Sequence, residues 1–270
     1  MIIVTFYPSG LLRSQSVDLH DVMRAEVSRA DERRHRLARG PWSGEAWGFD
    51  FADADSSLAG FVRIAVYPSR GVAWFWAALV GDGRAYVLCR DTELTPPADP
   101  SVLELRGVSL WTHAICETPL EHWTVAMEAY AVAFDDPVEA WRGERGDRVG
   151  LAFDLEWECP KSFPAWVGAD DGSHRYEAAC TVNGELLLGD ESWTIAGVGA
   201  RHHEWGRLDW SGPVASSGRR GSGDVVCSAP LLVDRPGGPA QLLRTLRRGV
   251  AAMVWSEELV DAHAPPNTVR

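Results

Sequence analysis

Ala200-Arg201-His202-His203-Glu204-Trp205-Gly206-Arg207-Leu208-Asp209-Trp210 is the stretch on which the reading of this chain turns. It crowds two of the eight histidines and two of the thirteen tryptophans, with two acids and two arginines, into one short run. Ordering and desolvating such a set costs free energy that a space-filling strand would avoid. In an extended strand side chains alternate, so Arg201, His203, Trp205, Arg207 and Asp209 share one face and His202, Glu204, Leu208 and Trp210 the other. Gly206 can bulge the strand and re-aim Asp209 by one position. Two readings stay open from these residues alone. One is a half-buried strand whose tryptophans pack in a core while its charges pair; the other is a site with proton-transfer groups beside indoles.

Working outward, the texture on both sides is that of short strands. Glu45, Trp47, Phe49 and Phe51 alternate with Ala46, Gly48 and Asp50, which puts a carboxylate on an aromatic face. Residues 60–67 and 71–80 follow, joined by the turn Pro68-Ser69-Arg70-Gly71. Trp74-Phe75-Trp76 sends aromatics to both faces, as in a closed barrel packed against another layer. In the second half Val149, Leu151, Phe153, Leu155 and Trp157 are apolar at period two while Asp154, Glu156 and Glu158 face the other way, and Asn183-Gly184 is the strongest hairpin signal. Residues 225–229 and 250–255 read as closing strands. Helix is expected only over 18–39, stopped by Gly40-Pro41, and in a short piece over 241–248. The charged, turn-rich stretch from Asp135 to Asp147 is the expected boundary between two β domains, residues 1–140 and 141–270.

The pattern Gly199, His203, Trp205, Gly206, Asp209, Trp210 resembles the Gly-x-x-x-His-Ser-Trp-Gly-x-Arg-Asp-Trp signature of the AttH-like superfamily, and Glu45 to Phe51 carries a weaker similarity in the first half. That superfamily includes carotenoid 1,2-hydratases and lipocalin-like cyclases that close polyene chains. Glu204 stands where the family has Ser and Leu208 where it has Arg, so the partner of that Arg is not carried over, although Arg207 is adjacent. The resemblance implies an all-β fold of two antiparallel lipocalin-like (calycin) barrels packed together, with one short N-terminal helix or arm, and the second barrel carrying the motif.

Composition narrows the function. A net charge of −12 argues against nucleic acid and anionic membranes. No run approaches a membrane helix, and the start lacks a basic signal region, so the expected location is cytoplasmic. Lys161, the one lysine, sits in a loop-like context that discounts Schiff-base chemistry. Five dispersed cysteines without a Cys-x-x-Cys pair read as reduced and structural. Neither metal-ligand spacing, a dinucleotide fingerprint, a phosphate loop nor a nucleophile elbow occurs, so no cofactor and no metal are expected. The chemistry left is proton transfer, cation stabilisation and holding a flexible chain folded. The expected activity is a cofactor-independent hydratase or cyclase on an elongated hydrophobic isoprenoid, polyene or polyketide. His203 and Asp209 are the expected catalytic pair; Trp205, Trp210, Glu204, Glu45, Trp47, Trp74 and Trp76 are expected to bind the substrate. Two alternatives stand beside it: a non-catalytic carrier of a hydrophobic ligand, which needs the tryptophans but not the ionisable groups, and an interaction module with aromatics only in its core.

Overall fold

Trp47, Phe49 and Phe51 alternate with Ala46, Gly48 and Asp50 along β1 (Ser43–Asp53), and both sets are buried. The same holds for β2 (Ala59–Tyr67) and β3 (Val72–Val80). A strand buried on both sides must lie between two layers, and the topology supplies them. The structure, a computed structural model, describes residues 27–54, 58–81, 83–99, 101–142, 145–159, 165–166, 173–210, 224–233, 235–236, 238, 240–248 and 253–260. The further strands are β4 (Tyr86–Leu94), β5 (Leu103–Arg106), β6 (Leu110–Thr118), β7 (His122–Phe134), β8 (Asp147–Glu158), β9 (Ala165–Trp166), β10 (His174–Leu188), β11 (Glu191–Arg207), β12 (Asp224–Val233), β13 (Ala240–Arg248) and β14 (Met253–Val260). All the pairings are antiparallel.

The main sheet runs β4-β3-β2-β1-β11-β10-β8-β7-β6-β5, and β7 also pairs with β4. The extra pairing, Tyr86 opposite Phe134 through Leu88 opposite Val132, joins the strands from β4 to β7 into a closed ring. The inner side is filled by Trp47, Phe49, Phe51, Ile64, Phe75, Trp123, Leu155 and Trp157, among others. On the outer side Phe61, Trp74 and Trp76 pack under the separate sheet β12-β13-β14 through Ala229, Val233, Leu242 and Leu246. Trp74-Phe75-Trp76 thus divides between the two layers as its alternation requires.

The antiparallel, lipocalin-like β architecture is as expected, but its strands are not shared out by sequence halves. β1 pairs with β11 from Ser43 opposite Arg207 to Asp53 opposite Gly197, and β7 pairs with β8. The division at 140/141 therefore falls inside one continuous sheet. The charged stretch there connects neighbouring strands and holds a six-residue helix, Pro137–Arg142; turn formers mark any exposed connection, not only a domain linker.

Three local expectations are corrected. Asn183 and Gly184 lie inside β10, opposite Ala196 and Ile195, and the hairpin turns at Gly189 (φ 59°). Gly184 is needed for close approach, because a Cβ there would meet the Asp154 carbonyl oxygen at 2.1 Å. Residues 241–248 form strand, with Leu242, Arg244 and Leu246 buried at period two. Of the expected helix over 18–39, residues 18–26 lie outside the described residues; from 27 on there is one 3-10 turn, Arg29–Glu32, then irregular chain. Lys161, expected in a loop, also lies outside the described residues.

Candidate functional site

The start of β1, the end of β11 and the starts of β10 and β7 lie together at one end of the barrel, and residues 27–42 cover it. Local chemistry shapes that cover. Ser28 Oγ and the Ser28 backbone N donate to Asp31 Oδ2 at 2.8 and 2.7 Å, which tightens the 3-10 turn. Glu32 then drops into the barrel, 5% exposed, where Arg201 donates to both its oxygens at 2.6 and 3.2 Å. Trp123 Nε1 and the Leu120 backbone N donate to it as well. A buried ion pair is tolerated when further hydrogen bonds complete it, and this one has two. Burial alone would lower the Arg201 pKa, but Glu32 outweighs it and holds the guanidinium charged. Burial first, and Glu32 second, push the Tyr176 phenol well above its ordinary range.

Anchored this way, the cover brings His35 to Glu45. The His35 backbone N donates to the two Glu45 oxygens at 3.0 and 3.1 Å, and His35 Nδ1 to Glu45 Oε1 at 2.8 Å. From the barrel side His203 Nε2 reaches the same oxygen at 2.9 Å, while His203 Nδ1 lies 2.8 Å from the Asp31 carbonyl oxygen. His203 and Glu45 are each 1% exposed. Aromatic faces set the ring orientations: Trp47 stacks on His203 at 4.7 Å, and Trp205 stacks on His35 at 3.7 Å, nearly parallel. Burial pushes the Glu45 carboxyl up, but the hydrogen bonds from His203 and His35 outweigh it, and its pKa lies below the ordinary carboxylate range.

The proton inventory of this array is informative. A carbonyl only accepts, so His203 Nδ1 carries hydrogen. A carboxylate also only accepts, so the 2.9 Å contact of His203 Nε2 with Glu45 requires a further proton between them. The array therefore stores one proton more than a neutral imidazole and an ionised carboxylate hold. Glu45 and His35 line a hollow of about 270 Å³ with Arg34, Leu37, Arg39 and Ser69, and His203 stands behind them. His35 Nδ1, Glu45 and His203 Nε2 also lie within 4.8 Å of one another, close enough to share a cation in place of a proton. A larger groove of about 630 Å³ passes Val108, Glu128, Tyr130 and Leu187 but has no buried ionisable side chain in its lining.

The opposite face of the same strands carries a second polar cluster. Glu204 pairs with Arg63 and lies 3.8 Å from Arg175; burial raises its pKa, but both arginines outweigh that and lower it. Asp50 accepts from Arg244 of β13 at 3.0 Å. His202 lies over Gly48, where a Cβ would meet its Nε2 at 2.0 Å.

A protein family described as a domain of unknown function, DUF7064, matches residues 28–219, from the cover through the His-Trp run. The chain belongs to this family. No curated protein matches it. Among solved structures, an AttH of Nitrosomonas europaea is similar at 16% identity and TM-score 0.41, over 83% of this chain and 67% of that one. Kievitone hydratase from Nectria haematococca is similar at 11% identity and TM-score 0.41, over 92% and 71%. CghA with Sch210972 is similar at 10% identity and TM-score 0.37, over 85% of this chain and 63% of that one, so the chain spans less than two thirds of CghA. All three are members of the superfamily that the His-Trp motif resembles. Likenesses this distant carry no argument about what the DUF7064 chain does.

Of the sequence-predicted site residues, the fold of this DUF7064 member gathers His203, Glu45, Trp47 and Trp205 on the inner face. Glu204, Trp74, Trp76 and Trp210 lie on the outer face. Asp209 does not join His203. β11 ends at Arg207 after Gly206 (φ 111°), and Asp209 pairs with Arg207 and acts on Tyr67 together with Arg63 and Glu204. The expected re-aiming at Gly206 is what takes it away. Sequence reasoning missed His35, Glu32 and the Asp31 carbonyl, because Asp31-Glu32-Arg33-Arg34-His35-Arg36 has the composition of a solvated surface run.

Proposed function

We propose that this chain is an acid–base enzyme of the hydratase or cyclase class, with Glu45 as the group that meets the substrate. The observation that carries the reading is the convergence of His35 and His203 on one oxygen of Glu45 at the wall of the 270 Å³ hollow. In a hydration, the proton shared with His203 Nε2 passes through Glu45 to one carbon of a double bond, leaving Glu45 a carboxylate and His203 a neutral imidazole. The cation at the other carbon takes the oxygen of a water, whose released proton returns to Glu45. In a cyclisation a carbon–carbon double bond of the same chain attacks the cation instead, and the final proton is lost to the same carboxylate. His35, Trp205 and Trp47 hold the array in register, which is what lets a proton move without reorganisation.

The hollow also bears on the substrate. The barrel interior is filled by side chains, so an elongated chain has no room there, and Trp74 and Trp76 are packed between sheets. Arg34 and Arg39 beside Glu45 suit an oxygenated or anionic end. Of the isoprenoid, polyene and polyketide classes, an unsaturated polyketide-like chain entering by its reacting end fits best. Mass spectrometry of ligand retained by the purified protein, followed by turnover of that compound and of Glu45→Gln, tests the proposal. Retention of an unsaturated oxygenated compound that the parent converts and E45Q does not is the expected result. Equal retention by both proteins, with conversion by neither, would instead identify a carrier.

A further inference from the structure

On the face of the sheet opposite Glu45, the barrel and the three-stranded sheet enclose a hollow of about 10 Å³, the room of one small sphere. Trp76, Trp210, Arg63 and His202 line it from the barrel side, and Val233, Leu242 and Arg244 from the covering sheet. Four of its nitrogens are buried without a hydrogen-bond partner: Trp76 Nε1, Trp210 Nε1, Arg63 Nε and His202 Nε2. An indole nitrogen and a guanidinium Nε only donate, so three of these four demand an acceptor. Trp76 is 1% exposed and Arg63 8%, which leaves solvent unable to serve them.

Among the described residues, the carboxylates nearest the hollow are engaged elsewhere. Glu204 is held by Arg63 through its Nη2 and approached by Arg175, and Asp50 is held by Arg244. The Val233 and Leu242 side chains offer none. A single water accepts two hydrogen bonds and needs acceptors for its own two hydrogens, so it would leave a donor unmet. A spherical anion accepts from every donor and asks nothing in return. The backbone supports this geometry. Trp210 is a non-glycine residue at φ 58°, a left-handed conformation that costs free energy and that places its ring 4.9 Å from the Arg63 guanidinium carbon. Such strain is retained where a side chain must be aimed.

We propose that this hollow binds a monoatomic anion of the halide class, chloride first among them, through the N–H groups of Trp76, Trp210 and Arg63. His202 adds a fourth donor as its neutral Nε2–H tautomer. Burial first, and then Arg175, Arg63 and Arg244, push the His202 pKa well below its ordinary value, which agrees with a neutral ring there. The bound anion is held from β2, β3 and the end of β11 while the Arg244 cation of the covering sheet lines the same hollow, so it stabilises the join between the two layers. The site shares no residue with the Glu45 array.

The test uses the full chain at pH 7.5. Melting is followed as sodium chloride replaces sodium gluconate at constant ionic strength. A saturable rise of about 5–10 °C is expected at a hundredfold excess over Kd. Trp76→Phe and Trp210→Phe, each keeping an aromatic ring and losing the N–H, abolish the chloride response whatever their own melting temperatures. Crystals grown in sodium bromide show an anomalous peak within hydrogen-bond distance of both indole nitrogens. Equal melting in chloride and gluconate, or an ordered water there with no anomalous signal in saturating bromide, would overturn the proposal.

Discussion

Replacing Glu45 by Gln changes the shape of the hub very little and its proton chemistry completely. Glu45 accepts from the His35 backbone N on both oxygens, from His35 Nδ1 and from His203 Nε2. Gln keeps one accepting oxygen but turns N–H hydrogens toward a donor, so one charge-assisted bond is lost and no proton can be stored. A bond of that kind contributes about 1.5–3 kcal/mol. In a domain of this size that corresponds to a fall in Tm of about 3–12 °C. A positioned acid or base contributes about 10²–10⁴ in rate, so kcat should fall by at least a hundredfold with KM within about threefold. The assay is turnover of the unsaturated compound recovered from the protein, with melting followed by circular dichroism. His203→Gln should cost a similar factor, and E45Q/H203Q little more than either alone, because the two hold one proton between them. Folded E45Q that keeps more than a third of parental kcat would remove Glu45 from the chemistry.

Arg201→Met leaves Glu32 buried with its charge uncompensated, and chemical denaturation should show a loss of about 3–5 kcal/mol; an unchanged midpoint would mean that Glu32 does not anchor the cover. Asp209→Asn should leave kcat within threefold, since Asp209 pairs with Arg207 away from the array, and a hundredfold loss measured in the same turnover assay would return it to the site. Because burial and the neighbouring arginines depress the His202 pKa, the unfolded chain binds a proton that the folded chain refuses below about pH 6.5. The His202 contribution to stability is therefore present above that pH and lost as pH falls, by about 1.4 kcal/mol per pH unit, and H202Q should flatten this slope in pH-dependent denaturation. Turnover should survive exhaustive chelation, since the array holds a proton; loss on chelation with recovery on adding a divalent metal would assign His35, Glu45 and His203 to a cation.

Period-two alternation made much of the architecture legible. Trp47, Phe49 and Phe51 against Ala46, Gly48 and Asp50, and Trp74 and Trp76 against Phe75, announce a sheet between two layers. Strand neighbours are not written in any local pattern, so the pairing of β1 with β11 and the joining of both halves in one sheet were not. Leu242, Leu243 and Leu246 fit helical as well as strand spacing, and packing on the barrel decides for strand. In the site, His203 and Glu45 were visible as ionisable groups on aromatic faces. His35 was not, because nothing in a run of two acids followed by four bases tells which side chain the Glu32–Arg201 pair will draw inward. Asp209 shows the reverse: its face followed from alternation until Gly206 broke the strand.

Nitrogen NMR of histidine-labelled protein observes the proton between Glu45 and His203 directly. With His203 assigned through H203Q, the expected result is hydrogen on Nδ1, bonded to the Asp31 carbonyl, and a second, slowly exchanging hydrogen shared between Nε2 and Glu45. An Nε2 bearing no proton, with Nδ1 alone protonated, would contradict it.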